Sequence, residues 1–134
     1  MKRIISLILT ISTIISLSIL PSYANNMVTP RWVTTSDTVV YHQRNADCAE
    51  CMVYISGQPG ARIIDVDIKM VAFLSNGPVT IASWDNLSGT DEFTFIEYVP
   101  LEMLDIVYQL SFTATVVRNG VTETISDYFD VLYT

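Results

Sequence analysis

Every second residue from Ile106 to Val116 is apolar: Ile106, Tyr108, Leu110, Phe112, Ala114 and Val116 alternate with Gln109, Ser111, Thr113 and Thr115. A period of two is that of a strand with one dry and one wet face; a helix, advancing about 100° per residue, would scatter these side chains around its axis. Asn119-Gly120 follows, the dipeptide best able to take positive φ at both central positions of a type I′ turn, so the chain from Val121 to Ile125 is expected to fold back antiparallel. Tyr128 to Tyr133 is expected to continue that strand after a bend near Ser126-Asp127.

The same grammar runs through the preceding eighty or so residues. Extended stretches are expected from Arg31 to Gln43, Cys51 to Ser56, Ile64 to Ala72, Val79 to Asp85 and Glu92 to Tyr98. They are separated by turn-forming clusters: Arg44-Asn45-Ala46-Asp47, Gly57-Gln58-Pro59-Gly60, Asn76-Gly77-Pro78 and Asn86 to Asp91. In the third stretch Ile64, Val66, Ile68, Met70 and Ala72 share one parity while Asp65, Asp67 and Lys69 share the other. About seven short strands in roughly 100 residues predict an all-β, antiparallel two-sheet sandwich of immunoglobulin or fibronectin type, with a small barrel as the alternative. After the connector Pro100 to Asp105, Tyr108 stands either as a tyrosine corner or as a plain core aromatic.

The first 24 residues obey a different rule. Lys2 and Arg3 precede an Ile/Leu run from Ile4 to Leu20, Pro21 ends it, and Ser22-Tyr23-Ala24 supplies small residues at the positions a signal peptidase reads. Residues 1–24 are therefore expected to be a secretory signal peptide cut before Asn25, and the run is short and polar for a bilayer core needing about 20 apolar residues. Residues 25–134 would then be a single sandwich domain, secreted and extracellular. No lipid-accepting cysteine follows the apolar run, and the tail Val131 to Thr134 has no anchor signal. Removing Lys2 and Arg3 leaves five basic against fourteen acidic residues, a net charge of −9. Arg31, Arg44, Arg62, Lys69 and Arg118 are scattered singly, so neither nucleic acid nor an anionic membrane is an expected partner.

Few residues invite chemistry. Cys48-Ala49-Glu50-Cys51 has redox or half-zinc spacing, but lacks the helix start of a thioredoxin motif and the further ligands of a zinc site. Export favours a Cys48–Cys51 disulfide. Three residues of extended strand span about 10 Å, beyond the ~7 Å limit for a bridge, so this pairing demands a turn between Ala46 and Glu50; two unbridged thiols are the alternative. His42, the one histidine, could in principle serve Cys48, yet it is expected to be a solvent-facing strand residue, and there is no Gly-x-Ser-x-Gly elbow. No catalytic, cofactor-binding or resident metal site is expected. Asp65 and Asp67, with Asp85, Asp91 and Glu92, could offer calcium oxygen ligands, but a solvated face with turn-capping aspartates is the expected reading. Arg31-Trp32 could form a cation–π binding platform, and Trp84 with Tyr98 a carbohydrate-binding surface, against the commoner alternative of core packing.

Taken in order, Pro30-Arg31-Trp32, Cys51-x-Val53-x-Ile55-x-Gly57, Trp84 with Ser88-Gly89, Tyr108-Gln109-Leu110 leading to Ala114-x-Val116, and Asn119-Gly120 with Glu123 make this chain resemble a family of short secreted proteins. These are widespread in low-GC Gram-positive bacteria, especially clostridial gut species, and the similarity spans about residues 30 to 125. The resemblance implies an exported immunoglobulin-like domain; that family has no assigned activity, so it brings no catalytic residues. Cys48 and Ala61-Arg62 depart from its pattern. The functional expectation is a non-catalytic secreted module that binds another protein or a cell-surface glycan through sheet edges and loops. A secreted antimicrobial or toxin-like effector is the alternative, ahead of a small hydrolase.

Overall fold

The computed structural model describes residues 33–134. The expected leader, Arg31 and Trp32 lie outside the described residues. Seven strands follow one another: β1 (Thr35–Asn45), β2 (Cys48–Gly57), β3 (Arg62–Leu74), β4 (Gly77–Thr90), β5 (Glu92–Pro100), β6 (Ile106–Arg118) and β7 (Val121–Tyr133). All pair antiparallel, in the order β1-β2-β5-β4-β3-β6-β7. The β4–β5 link is a single residue pair, Thr90 with Glu92. The ladder is therefore broken there into a three-stranded sheet, β1-β2-β5, packed on a four-stranded one, β4-β3-β6-β7: the two-sheet sandwich that the alternation predicts.

Turn chemistry sets the corners. Asn119 and Gly120 adopt φ of 51° and 77°, as the hairpin between β6 and β7 requires. β7 then pairs with β6 without interruption from Val121 opposite Arg118 to Tyr133 opposite Ile106. The bend expected at Ser126-Asp127 does not occur, because both residues keep ladder partners, in Thr113 and Phe112. Tyr108 resolves as a tyrosine corner, its hydroxyl donating to the Met103 carbonyl at 2.8 Å across the β5–β6 connector.

β3 departs from strict alternation. Asp65 has φ of 50° and the register shifts between Ile63 and Val66, so the extra residue of a bulge turns Ile63 into the core and leaves Ile64 half-buried. Opposite it, β4 carries its own extra residue at Asp85-Asn86, and the Asn86 amide released from the ladder donates to Asp67 Oδ1 at 2.9 Å. The interior is filled from both sheets: Val53 and Ile55 from β2, Phe93 and Phe95 from β5, Ile63, Val66, Ile68 and Met70 from β3, and Tyr108, Leu110, Phe112 and Val116 from β6. Burying a side chain of this kind contributes about 1.5–3 kcal/mol before entropy is charged against it.

Candidate functional site

His42 is 2 % exposed, not solvent-facing as its sequence neighbourhood implies. It shares the inward parity of Val40 and sits opposite buried Cys51 on β2. Its ring bridges the gap between edge strands β1 and β7: Nε2 lies 3.1 Å from the Phe129 carbonyl and Nδ1 2.6 Å from the Tyr133 hydroxyl. A carbonyl only accepts, so Nε2 carries the proton and Nδ1 accepts from Tyr133. Burial lowers the imidazole pKa below its usual 6.5, outweighing the raising influence of the Phe129 carbonyl, so the ring is neutral at neutral pH. Both ring nitrogens are thereby committed to closing the sandwich, and neither is presented to a thiol.

The cysteines lie three residues apart in one continuous strand and point to opposite faces. The turn that a Cys48–Cys51 bridge needs is absent from β2, and both residues are free thiols. Cys51 is buried 3.5 Å from the Met70 sulfur, and burial pushes its pKa up to about 12, the state of a packing residue and not of a nucleophile. Two of the candidate carboxylates cap local structure: Asp67 holds the β4 bulge, and Asp91 Oδ1 accepts the Gly60 amide at 2.7 Å. Among the described residues no group of three or more His, Cys, Asp or Glu side chains is arranged to hold a metal ion. Glu123 accepts from the Thr34 hydroxyl and from the amides of Val33 and Thr34 at 3.1 and 3.0 Å. Burial would raise its pKa, but these donors together hold the carboxyl below its ordinary range.

Of the candidate binding-surface residues, Arg31 and Trp32 lie outside the described residues, and Trp84 turns inward, as core packing requires. Its ring meets Phe95 edge-on with centroids 4.8 Å apart and packs against the core. Tyr98 lies on the opposite parity of β5 from Phe95 and faces solvent, so Trp84 and Tyr98 do not share a platform.

A different surface emerges from the strand register. Along β2 the odd positions are buried while the even ones, Glu50, Met52, Tyr54 and Ser56, stand half-exposed on the outer side. Pairing aligns them in rows across the three-stranded sheet: Tyr41, Met52 and Ile96; Val39, Tyr54 and Thr94; Gln43, Glu50 and Tyr98. Opposed side chains in such rows stand about 4.5–5.5 Å apart at Cβ, so they form one continuous surface. Ile96 is 49 % and Tyr98 56 % exposed. The outer face of the other sheet is mixed: Lys69, Gln109, Ser111, Thr113 and Thr115 run along β3 and β6 with a Gln109–Asp130 hydrogen bond of 2.9 Å, while Phe73, Val107 and Leu132 make one apolar row at its end and Tyr128 stands 61 % exposed beside Ser111. The sequence carried a signal for the first surface: β1, β2 and β5 place apolar or aromatic residues on both parities, whereas in β6 the second parity is mainly polar. An antiparallel strand apolar on both faces has one face that the core does not use.

Two depressions accompany it. An open one of about 440 Å³ lies at the end of the sandwich between Ser56, Gly57, Pro59 and Thr90 to Glu92. One of about 340 Å³ lies where β4 and β5 diverge, lined by Ile81, Val99, Pro100, Glu102, Met103 and Tyr108.

The described domain is thus an antiparallel β-sandwich with an apolar outer sheet face. No family model matches the chain, and no curated protein matches it. Among solved structures, the sporulation control protein Spo0M from Bacillus subtilis is similar at 16 % identity and a TM-score of 0.44, over 75 % of this chain and 49 % of that one. The chain therefore spans about half the length of that protein.

Proposed function

We propose that this chain is a secreted, non-catalytic binding module that engages its ligand through the outer face of the β1-β2-β5 sheet. The observation that carries this is the row Tyr41–Met52–Ile96 with Val39, Tyr54 and Tyr98 around it, apolar and aromatic side chains on one sheet face, of which Val39, Ile96 and Tyr98 are exposed and the others half-buried. Exposed apolar surface costs solubility, and contiguous patches of it mark interaction sites more often than chance. Export rests on the leader-like first 24 residues. The sheet pairing β1-β2-β5 against β4-β3-β6-β7, together with the Tyr108 corner, supports the immunoglobulin/fibronectin-type reading. The test is retention of the purified protein on whole Gram-positive cells and on their isolated surface proteins and peptidoglycan. Wild type should be retained, and Ile96→Asp should lose retention while keeping its thermal midpoint. Growth inhibition of neighbouring species without retention would favour a secreted effector instead.

A further inference from the structure

We propose that the partner of this face is a protein that presents apolar side chains flanked by Lys and Arg, bound by a small, salt-sensitive interface. This rests on the outer face of β1-β2-β5 being the binding surface, and it specifies what binds there.

Side-chain chemistry separates a protein from a glycan. A sugar-binding platform stacks flat rings against pyranose faces, but here the central row places the thioether of Met52 and the branched side chain of Ile96 beside Tyr41. Met adapts its shape to a neighbour, and Met and Tyr are enriched at protein–protein contacts. Tyr41 and Tyr54 are diagonal neighbours on β1 and β2, but Tyr98 stands two strands from Tyr41 and two rows from Tyr54 with Met52 and Ile96 between, so the three rings do not form a continuous track.

Charge selects the kind of protein. Asp37, Glu50 and Glu92 occupy the outer rows of this face, with Glu92 3.4 Å from the Tyr54 hydroxyl. Among the described residues no Lys or Arg shares that face. Arg44, the one cation of these three strands, donates to the Ala46 and Thr134 carbonyls at 2.9 and 3.1 Å. A second copy of the chain would bring carboxylates against carboxylates, on molecules that each carry a net charge of −9 once residues 1–24 are removed, five basic against fourteen acidic residues. Area argues the same way. Three strands about 4.8 Å apart and five rows about 6.8 Å apart give roughly 400–500 Å², short of the ~800 Å² per partner of a standard interface. A contact of that size does not hold two like-charged copies together, whereas a cationic partner gains long-range attraction that speeds encounter and fixes register.

The probe is a phage-displayed library of random 12-residue peptides, panned on the purified protein at low salt. Enriched peptides should carry net positive charge with apolar residues at alternate positions. A synthetic peptide from the enriched set should bind at least about tenfold more weakly at 0.5 M than at 0.05 M NaCl. It should lose a similar factor with Glu50→Lys and with Ile96→Asp, and none with Thr113→Lys on the opposite sheet. Circular dichroism melts of each variant establish that the fold is kept. Enrichment of neutral or acidic peptides, no enrichment, or binding indifferent to Glu50→Lys would overturn the proposal. Loss of peptidoglycan retention in Ile96→Asp with no peptide enriched would make the occupant a glycan, leaving the face as the binding site while removing the protein partner. Enriched basic peptides that bind Ile96→Asp and Glu50→Lys as well as wild type would remove the face itself.

Discussion

Tyr133→Phe tests whether the His42 bridge holds β1 against β7. The substitution keeps the ring and its tilted contact with Tyr108, centroids 5.6 Å apart, and deletes only the hydroxyl that donates to His42 Nδ1. Nε2–H remains on the Phe129 carbonyl, so Nδ1 becomes a buried acceptor with no donor. Leaving such a group unsatisfied costs about 1–3 kcal/mol. At about 4–8 °C per kcal/mol for a domain of this size, the thermal midpoint at pH 7.5 should fall by at least about 4 °C. The pH dependence has a definite sign. Burial holds the folded imidazole below the 6.5 of the unfolded chain, so its contribution to stability is whole above 6.5 and is lost as pH falls from there toward the folded value. Removing the donor to Nδ1 takes support from the neutral ring, so the folded pKa moves back toward 6.5. The loss of stability between pH 7.5 and 5.5, followed by urea denaturation, should then be smaller in Tyr133→Phe than in wild type. Pairing it with His42→Leu should recover part of the cost, since both polar partners then leave together. A midpoint shift under about 2 °C with an unchanged pH slope would refute the bridge as a stabilising contact.

Three further outcomes are expected. Tyr108→Phe breaks the 2.8 Å bond to Met103 and should lower stability by about 0.5–1.5 kcal/mol in urea denaturation, with the m-value unchanged. Glu123 is held below its ordinary carboxyl range, so it stabilises above 4.5 and that stability drains as pH falls below it; Glu123→Gln should flatten the acid limb of the stability curve and loosen amide protection at Val33 and Thr34. Thiol alkylation of the native protein should label half-buried Cys48 and spare Cys51, with both labelled after denaturation; an intact mass showing a bridged pair would contradict the free thiols of β2.

Legibility differed element by element for identifiable reasons. The β6–β7 hairpin could be read directly because its determinants are local: a period-two pattern and an Asn-Gly turn whose φ values follow from the residues themselves. Alternation alone counts Ile64 with the core, but the positive φ of Asp65 inserts a bulge that no alternation count contains. His42 reads as solvent-facing from its neighbourhood, because the partner that buries it, Tyr133, lies 91 residues away at the chain end. Trp84 leaves a platform open on sequence beside the commoner core packing, and its partner Phe95 on the other sheet decides for the core. The cysteine spacing was ambiguous until β2 proved continuous through Cys48, after which a bridge was geometrically closed off.

Sequence alone determined that this chain makes strands, where most of them turn, and that two sheets bury one parity of each, because backbone preference and side-chain period act over a few residues. Only the tertiary structure decided which strands became neighbours, and with that which surplus apolar parity was left outside. Val39, Tyr41, Met52, Tyr54, Ile96 and Tyr98 come from three strands separated by up to about sixty residues, and they form one surface solely because β5 pairs with β2 and not with its sequence neighbour β4 along its length. Register is a long-range choice made by the whole core, so a face built from it has no local signature beyond its separate pieces.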